Sequence, residues 1–371
     1  MKMTKPSTTH YIFAAGREAS YVRNQLMISA ARSLADVTAI TPERPGSLST
    51  NLLRVLRRLI AALRQPHELV ILGFYSHPLT PIVRRLTHGP ILFDAFVSTW
   101  DTLCFDRRRF APGSPVGQAA RWLDITACRA ADRVLLDTQA HAQFFLDSFD
   151  LEPDRIDHWY VGCDESIFHP IQRAPRPAGQ PLTVLFYGTY QPLHGVDVIV
   201  QAAAILKDEA GLRLKLIGDG QMHQQARQLA QQARLTNVDF LAPVPVTTLA
   251  SYIAESDICL AGPFGCTAKA QRVIPGKTAQ FLGMARAIIA TDTPANRELL
   301  THRQSAYLCE AGNPQALAEA IRTLAYDETL RTSLANGGRQ LFEQRLSLPR
   351  LTADLKPIIA RTLYSRSTAS N

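Results

Sequence analysis

The stretch from Ala254 to Leu300 constrains the fold of this chain more than any other. Two short apolar runs within it, Ile258–Ala261 and Ala287–Ala290, read as buried parallel strands, because a strand covered on both faces shows continuous rather than alternating hydrophobicity. Between them lie a loop punctuated by Gly and Pro, Gly262–Gly276, and a helix-compatible segment, Lys277–Met284. Lys269, Arg272 and Lys277 fall inside that loop and helix start. Backbone N–H groups and the helix dipole favour an anion at such a place, so the added cations point to a phosphate or diphosphate. A solvated basic turn of an ordinary βα unit has the same composition.

The same rhythm runs through the chain. Tyr11–Ala15 reads as a first strand, with Ser20 as the expected cap of the next helix and Val37–Ile40 as a second strand. Ala14-Ala15-Gly16-Arg17 lacks the spacing of a dinucleotide-binding fingerprint, which argues against a bound NAD. A helix is expected from Thr50 or Asn51. It has Leu52, Leu53, Leu56, Leu59, Ile60 and Leu63 on one face and Arg54, Arg57, Arg58 and Arg64 on the other. That pattern suits either an anionic membrane surface or plain core packing. Further strands are expected at Leu69–Phe74 and Pro90–Phe93. The second is followed by a loop-like stretch holding Asp94, Asp101 and Asp106, a candidate acceptor or catalytic site; turn chemistry explains the acids equally well. Residues 171–181, rich in Pro, read as a linker. Beyond it the α/β rhythm restarts at Thr183–Tyr187.

At 371 residues the chain exceeds what one core supports, and its 46% apolar content is enough for two. The expected architecture is α/β, with two Rossmann-like domains facing each other across a cleft. Residues 1–172 are expected to form the first domain and 173–344 the second, with a C-terminal helix at about 345–371 packing back onto the first. The net charge of +8 comes from dispersed arginines; it suits phosphorylated ligands, anionic lipid or nucleic acid, and no nucleic-acid motif accompanies it. Six cysteines without metal or disulfide spacing are expected to be reduced and mostly buried. With no signal-peptide pattern and no apolar stretch of spanning length, the expected location is cytoplasmic, with peripheral contact at the inner face of the membrane as a further expectation.

Several motifs, in order, resemble the GT-B glycosyltransferases, and within them the retaining family 4. V-G-C-D-E-S-I-F-H-P, with Gly162, Asp164, Phe168 and Pro170, is similar to the family's domain-boundary motif. L-F-Y-G-T-Y-Q-P-L-H-G is similar to its first C-domain strand and loop, and L-K-L-I-G-D-G to its glycine turn. V-D-F-L-A-P-V and the segment from Pro275 to Ala290 resemble its base-facing and sugar-facing loops, and G-N-P-Q-A-L-A-E-A-I its late helix. The chain departs from the pattern at the family's paired glutamates, matched by Arg272 and Gln280. It also departs at the loop cations, near Thr189 and His194, and at the N-domain histidine, matched by Asp94.

The resemblance implies transfer of a sugar from a nucleotide sugar (UDP-, GDP- or dTDP-linked) to a hydroxyl of a glycan, lipid-linked or small-molecule acceptor. It further implies retention of configuration, neither metal nor cofactor, and a place in polysaccharide biosynthesis. Negative charge grows on the departing diphosphate, so preorganised cations help most. Lys269, Arg272 and Lys277, with Gly188 and His194, are the expected diphosphate contacts. Gly218, Gly220, Val244, Gln280 and Glu298 are the expected nucleotide and sugar contacts. On the acceptor side stand Gly16, Arg17, Tyr21, Arg23 and His77, and Asp94, Asp101 and Lys277 are the catalytic candidates. A catalytically degenerate nucleotide-binding or scaffold protein, and an epimerase on the same scaffold, are the alternatives.

Overall fold

The structure, a computed structural model, describes residues 9–43, 47–172 and 179–367. Linker residues 173–178, the first eight residues and the tail after 367 lie outside the described residues. The chain divides into two compact units. The first comprises Met1–Cys104, Arg109–Gly162 and Leu348–Asn371; the second comprises Phe105–Arg108 and Cys163–Ser347.

The first unit is built on six parallel strands: β1 (His10–Ala14), β2 (Asp36–Ile40), β3 (Leu69–Leu72), β4 (Ile91–Asp94), β5 (Arg133–Leu136) and β6 (Ile156–His158). Their order is β2-β1-β3-β4-β5-β6. The inner runs L-V-I-L, I-L-F-D and R-V-L-L are buried at every residue, as helices on both faces require, whereas edge strand β2 alternates exposed and half-buried positions. Each Leu, Ile or Phe buried here contributes about 1.5–3 kcal/mol. The helices are α1 (Val22–Arg32), α2 (Leu48–Ala62), α3 (Thr80–Leu86), α4 (Thr99–Asp101), α5 (Pro115–Ala130) and α6 (Gln139–Phe149). The last helix of the chain, α14 (Leu348–Ser367), packs on α1, and the indole N–H of Trp159 donates to Leu351 O at 2.8 Å.

The second unit has strands β7 (Leu182–Gly188), β8 (Leu212–Gly218), β9 (Val238–Leu241), β10 (Ile258–Gly262), β11 (Ala287–Thr291) and β12 (Tyr307–Cys309), ordered β12-β11-β10-β7-β8-β9 and all parallel. Around them lie α7 (Val196–Ile205), α8 (His223–Gln232), α9 (Val246–Glu255), α10 (Lys277–Gly283), α11 (Pro294–Leu299), α12 (Pro314–Tyr326) and α13 (Glu328–Arg345). Side-chain caps open several of these helices: Thr293 accepts from Asn296 N, Asn313 from Ala316 N and Asp327 from Leu330 N. Pro294 and Pro314 follow at a position where the missing N–H costs nothing.

Some local expectations shift. Helix α1 is preceded by Tyr21 in extended conformation, with no side-chain cap, so Ser20 does not serve. Helix α2 starts earlier than Thr50, because Ser47 Oγ accepts from Thr50 N at 3.3 Å and nucleates the turn before it. The supposed loop after β4 contains α4 and a π-helical turn, Thr102–Asp106, and the donor loop contains a 3-10 turn, Lys269–Gln271. Five of the six cysteines are buried; Cys266 is exposed.

Candidate active site

In open α/β sheets ligands bind beyond the carboxyl ends of strands, where the strand order reverses direction. In the second unit that point lies between β7 and β10. Gly188 ends β7 in register with Gly218 at the end of β8. Gly218 has φ 138°, and a Cβ there would collide with Gly188 O, so only glycine lets the two loops close up. Gly220 approaches Thr189 O in the same way. The loop after β10 is stitched to the loop after β7: Phe264 N donates to His194 O at 3.3 Å and Gly265 N to Leu193 O at 3.0 Å.

Into this point comes Lys277 from the start of α10. Its Nζ donates to Tyr187 O at 3.0 Å and lies 3.7 Å from the centroid of the Phe186 ring. Among the described residues no carboxylate pairs with it, and burial pushes its ammonium well below the ordinary lysine pKa. His194 sits beside it, with its Nδ1 3.2 Å from where a Gly188 Cβ would be. Burial first, and the neighbouring Lys277 second, lower the His194 pKa to about 3, so the ring is neutral. The structure therefore gathers Gly188, His194, Gly218, Gly220 and Lys277.

The other candidates of this unit stand in different surroundings. Lys269 Nζ lies 3.9 Å from Asp106 Oδ2, both side chains nearly buried within this unit, so these two charges offset each other. Arg272 follows the 3-10 turn half-buried, and Gln280 Oε1 is buried without a hydrogen-bond partner. Val244 lies half-buried in the loop after β9, and Glu298 on α11. A polar cavity of about 710 Å3 lies elsewhere, between residues 301–305 and α13, and holds none of these groups.

In the first unit the direction reverses between β1 and β3. Gly16 N donates to Phe74 O at 3.1 Å, and a Cβ on Gly16 would lie 2.5 Å from Tyr75 O. The acids expected here are sealed away. Asp94 is fully buried and takes Arg23 on both oxygens, with Arg23 Nη2 at 2.8 Å from Oδ1 and Nε at 3.0 Å from Oδ2. Burial raises the Asp94 carboxyl while Arg23 pulls it back. Arg23 also donates to Trp159 O and Leu136 O, so neither partner is left to reach solvent. Asp101 is buried in the first turn of α4, its N–H on Ser98 Oγ at 2.9 Å. His77, also buried, faces Val97 O through Nε2 at 3.1 Å, and burial lowers its pKa despite Asp124 3.7 Å away. Arg17 is exposed and Tyr21 half-buried.

Residues 181–327 match the family described as glycosyl transferases group 1. The matched residues all lie in the second unit. Among similar proteins, the D-inositol 3-phosphate glycosyltransferase of Nocardioides sp. is 26% identical over 230 residues, 56% of this chain and 49% of that protein. The enzyme of the same name from Corynebacterium glutamicum is 26% identical over 245 residues, 59% and 54% of the two chains. The chain spans about half the length of the curated relatives it matches. Among solved structures, sucrose-phosphate synthase from Thermosynechococcus elongatus superposes with a TM-score of 0.72 at 14% identity, covering 98% of this chain and 100% of that one. Anabaena HepE in complex with UDP-glucose gives 0.71 at 14%, covering 95% and 99%. At that identity the likeness carries the fold, and the chain has the two-domain α/β architecture of GT-B glycosyltransferases.

Residues of both units that sequence reasoning passed over now stand out. In the second unit, Asn296 Nδ2 donates to Gly262 O at 3.0 Å and Thr291 Oγ1 to Pro263 O at 3.0 Å, fixing the loop after β10. Phe186 and Tyr187 line Lys277 and were legible only as strand residues. In the first unit, buried Asn24 donates to Arg17 O and Glu18 O and accepts from Phe74 N at 3.2 Å, tying the loops after β1 and β3 together. An asparagine on the inward face of a helix was the one signal available for it.

Proposed function

We propose that this protein is a glycosyltransferase that moves a sugar from a nucleotide-sugar donor to a hydroxyl acceptor, with retention of configuration and without a resident metal. The observation that carries it is Lys277, a buried ammonium held by one main-chain oxygen at the point where β7 and β10 diverge, with no carboxylate partner among the described residues. A donor diphosphate supplies the counter-charge that the protein withholds, and Lys277 stabilises the negative charge that grows as the anomeric C–O bond breaks. The group 1 match and the likeness to proteins bound to UDP and UDP-glucose support the donor class.

In this reading the second unit takes the donor. Gly188, His194, Gly218 and Gly220 shape the diphosphate loop. Arg272, Gln280, Val244 and Glu298 attend the nucleotide and sugar, and Lys269 serves through its pairing with Asp106. The first unit takes the acceptor on the side of Gly16, Arg17 and Tyr21. Arg23, His77, Asp94 and Asp101, sealed by their partners, hold that side in shape. The acceptor reading extends to a glycan or lipid-linked molecule in polysaccharide biosynthesis. Exposed Leu53, together with Arg54 and Arg57 on α2, supports weak contact with an anionic membrane face. Among the described residues no helix is long and apolar enough to cross a membrane. Co-sedimentation with anionic vesicles that is unchanged by Leu53→Ser with Arg54→Gln and Arg57→Gln would remove the membrane contact.

Calorimetric titration of UDP, GDP, ADP and dTDP tests the donor site. One nucleotide is expected to bind, and Lys277→Met to weaken it about 10- to 100-fold, the span of a charge-assisted hydrogen bond. Equal affinity in the mutant would sink the assignment. A second reading, a degenerate nucleotide-binding scaffold, draws on Lys269 being held by Asp106. Nucleotide binding without any turnover of the cognate nucleotide sugar would favour it.

A further inference from the structure

With Arg23, Asp94, Asp101 and His77 turned inward, what remains accessible at the reversal point of the first unit is aromatic. Tyr21 stacks on Phe74 with ring centroids 4.7 Å apart, Tyr75 lies 4.3 Å from Phe74, and Phe96 meets Phe74 edge-on at 5.0 Å. Phe74 is buried beneath; Tyr21, Tyr75 and Phe96 are half-buried. Tyr75 and Phe96 both sit in the left-handed region, with φ of 64° and 56°. Bulky side chains avoid that region, and where it persists the surroundings must impose it, a habit of ligand sites. The surroundings here are explicit. Asn24 holds the Arg17 and Glu18 carbonyls and the Phe74 N–H, and Tyr75 O packs where any side chain at Gly16 would stand. Arg17, exposed and without a carboxylate partner among the described residues, holds its guanidinium 5.6 Å from the centroid of the Tyr75 ring.

A platform of aromatic faces takes the apolar C–H face of a sugar ring, and a guanidinium beside it takes a phosphate or carboxylate oxygen. We propose that the first unit binds a sugar ring carrying an anionic group, a sugar phosphate or sugar acid, with the ring on Tyr75 and Phe96 and the anion at Arg17. This rests on the acceptor reading above and names its substrate class. The buried Arg23 lies 5.1 Å from the centroid of the Phe96 ring and braces it from within, its charge met by Asp94. Arg17 is thus the cation left to a ligand. The Tyr21 hydroxyl, pushed up to about 12 mainly by burial, stays neutral and able to donate to a ring hydroxyl.

The test is ligand-observed NMR titration of the full chain carrying Lys277→Met, which weakens the anion site of the second unit. The probes are glucose 6-phosphate, glucuronate, methyl glucoside and inorganic phosphate. At least one anionic sugar is expected to bind about tenfold more tightly than methyl glucoside or phosphate alone, and which one does so separates the phosphate from the carboxylate source. Tyr75→Asn keeps a residue that tolerates the left-handed backbone while removing the ring. It should weaken the anionic sugar about tenfold without lowering the melting temperature. Arg17→Gln should reduce that sugar to the affinity of methyl glucoside. No saturable binding by either anionic sugar, unchanged affinity in Tyr75→Asn, or phosphate binding as tightly as the sugars would overturn the proposal. Nucleotide titration of the unsubstituted chain reads the donor site separately. Intact nucleotide binding beside absent sugar binding overturns this inference alone, and the converse overturns the donor reading alone.

Discussion

At Lys277 and His194 the protein places one buried ammonium and one half-buried imidazole, and burial has cost each of them affinity for a proton. For His194 the folded pKa is about 3 against an ordinary 6.5, so between those values the unfolded chain binds a proton that the native state refuses. Its contribution to stability is therefore complete above pH 6.5 and is lost as pH falls toward 3. Between pH 6.5 and 5 denaturant titrations should show a slope approaching about 1.4 kcal/mol per pH unit from this residue, flattened in His194→Gln. An unchanged slope would mean the ring is protonated in the native protein. Lys277 runs the other way on binding: a diphosphate favours its protonated form, so nucleotide binding should be coupled to proton uptake. Calorimetry in buffers of different ionisation heat reads this, and Lys277→Met should abolish it. Lysine at a loop–helix junction was legible in the chain as a candidate for an anion contact. Its isolation from carboxylates was not, because Lys269, three residues past Cys266, has the same local look and yet finds Asp106.

Among the elements, the strands were readable almost to the residue because both sheets are parallel and covered on both faces, which leaves continuous apolar runs. Helix α13 is legible as a helix with two glycines inside it, but its pattern does not explain them. Gly337 and Gly338 fall in its interior, where glycine costs about 1 kcal/mol against alanine. Packing accounts for them: a Cβ on Gly337 would strike Gln304 O, and one on Gly338 would come within 2.6 Å of Leu282 Cδ2. Gly337→Ala should therefore destabilise the protein despite the better helix propensity, by about 1–3 kcal/mol for an overpacked contact. A higher melting temperature in that variant would show that residues 301–305 give way. The short helix α4 escaped notice for a different reason. Its start carries a local cap, Ser98 Oγ accepting from Asp101 N, and is further held by a distant carboxylate, Asp124, which accepts from Ser98 Oγ, Thr99 N and Trp100 N and leaves no mark in the local pattern.

For the whole molecule, two separately cored units imply two unfolding events, and mass action lets a ligand move only the unit that binds it. A nucleotide at 100 times its Kd should stabilise the second unit by about 2.7 kcal/mol and shift its calorimetric transition alone. A shift of both transitions, or of the first only, would place the nucleotide elsewhere. The return of the chain end matters equally: α14 belongs to the first unit, so a chain ended at Ser347 should lose stability in the first transition, which contains Trp159 and its bond to Leu351. The order of strands and helices, the need for two cores and the glycine turns were determined by the sequence alone. Burial of apolar runs and the backbone demands of tight turns are local, and leave local marks. Which charges stay available was decided only by tertiary structure. Arg23 with Asp94, and Lys269 with Asp106, are partners far apart in sequence, and a buried charge takes whatever counter-charge the fold brings within reach. Lys277 and Arg17 were left over by that pairing, and no spacing in the chain says so.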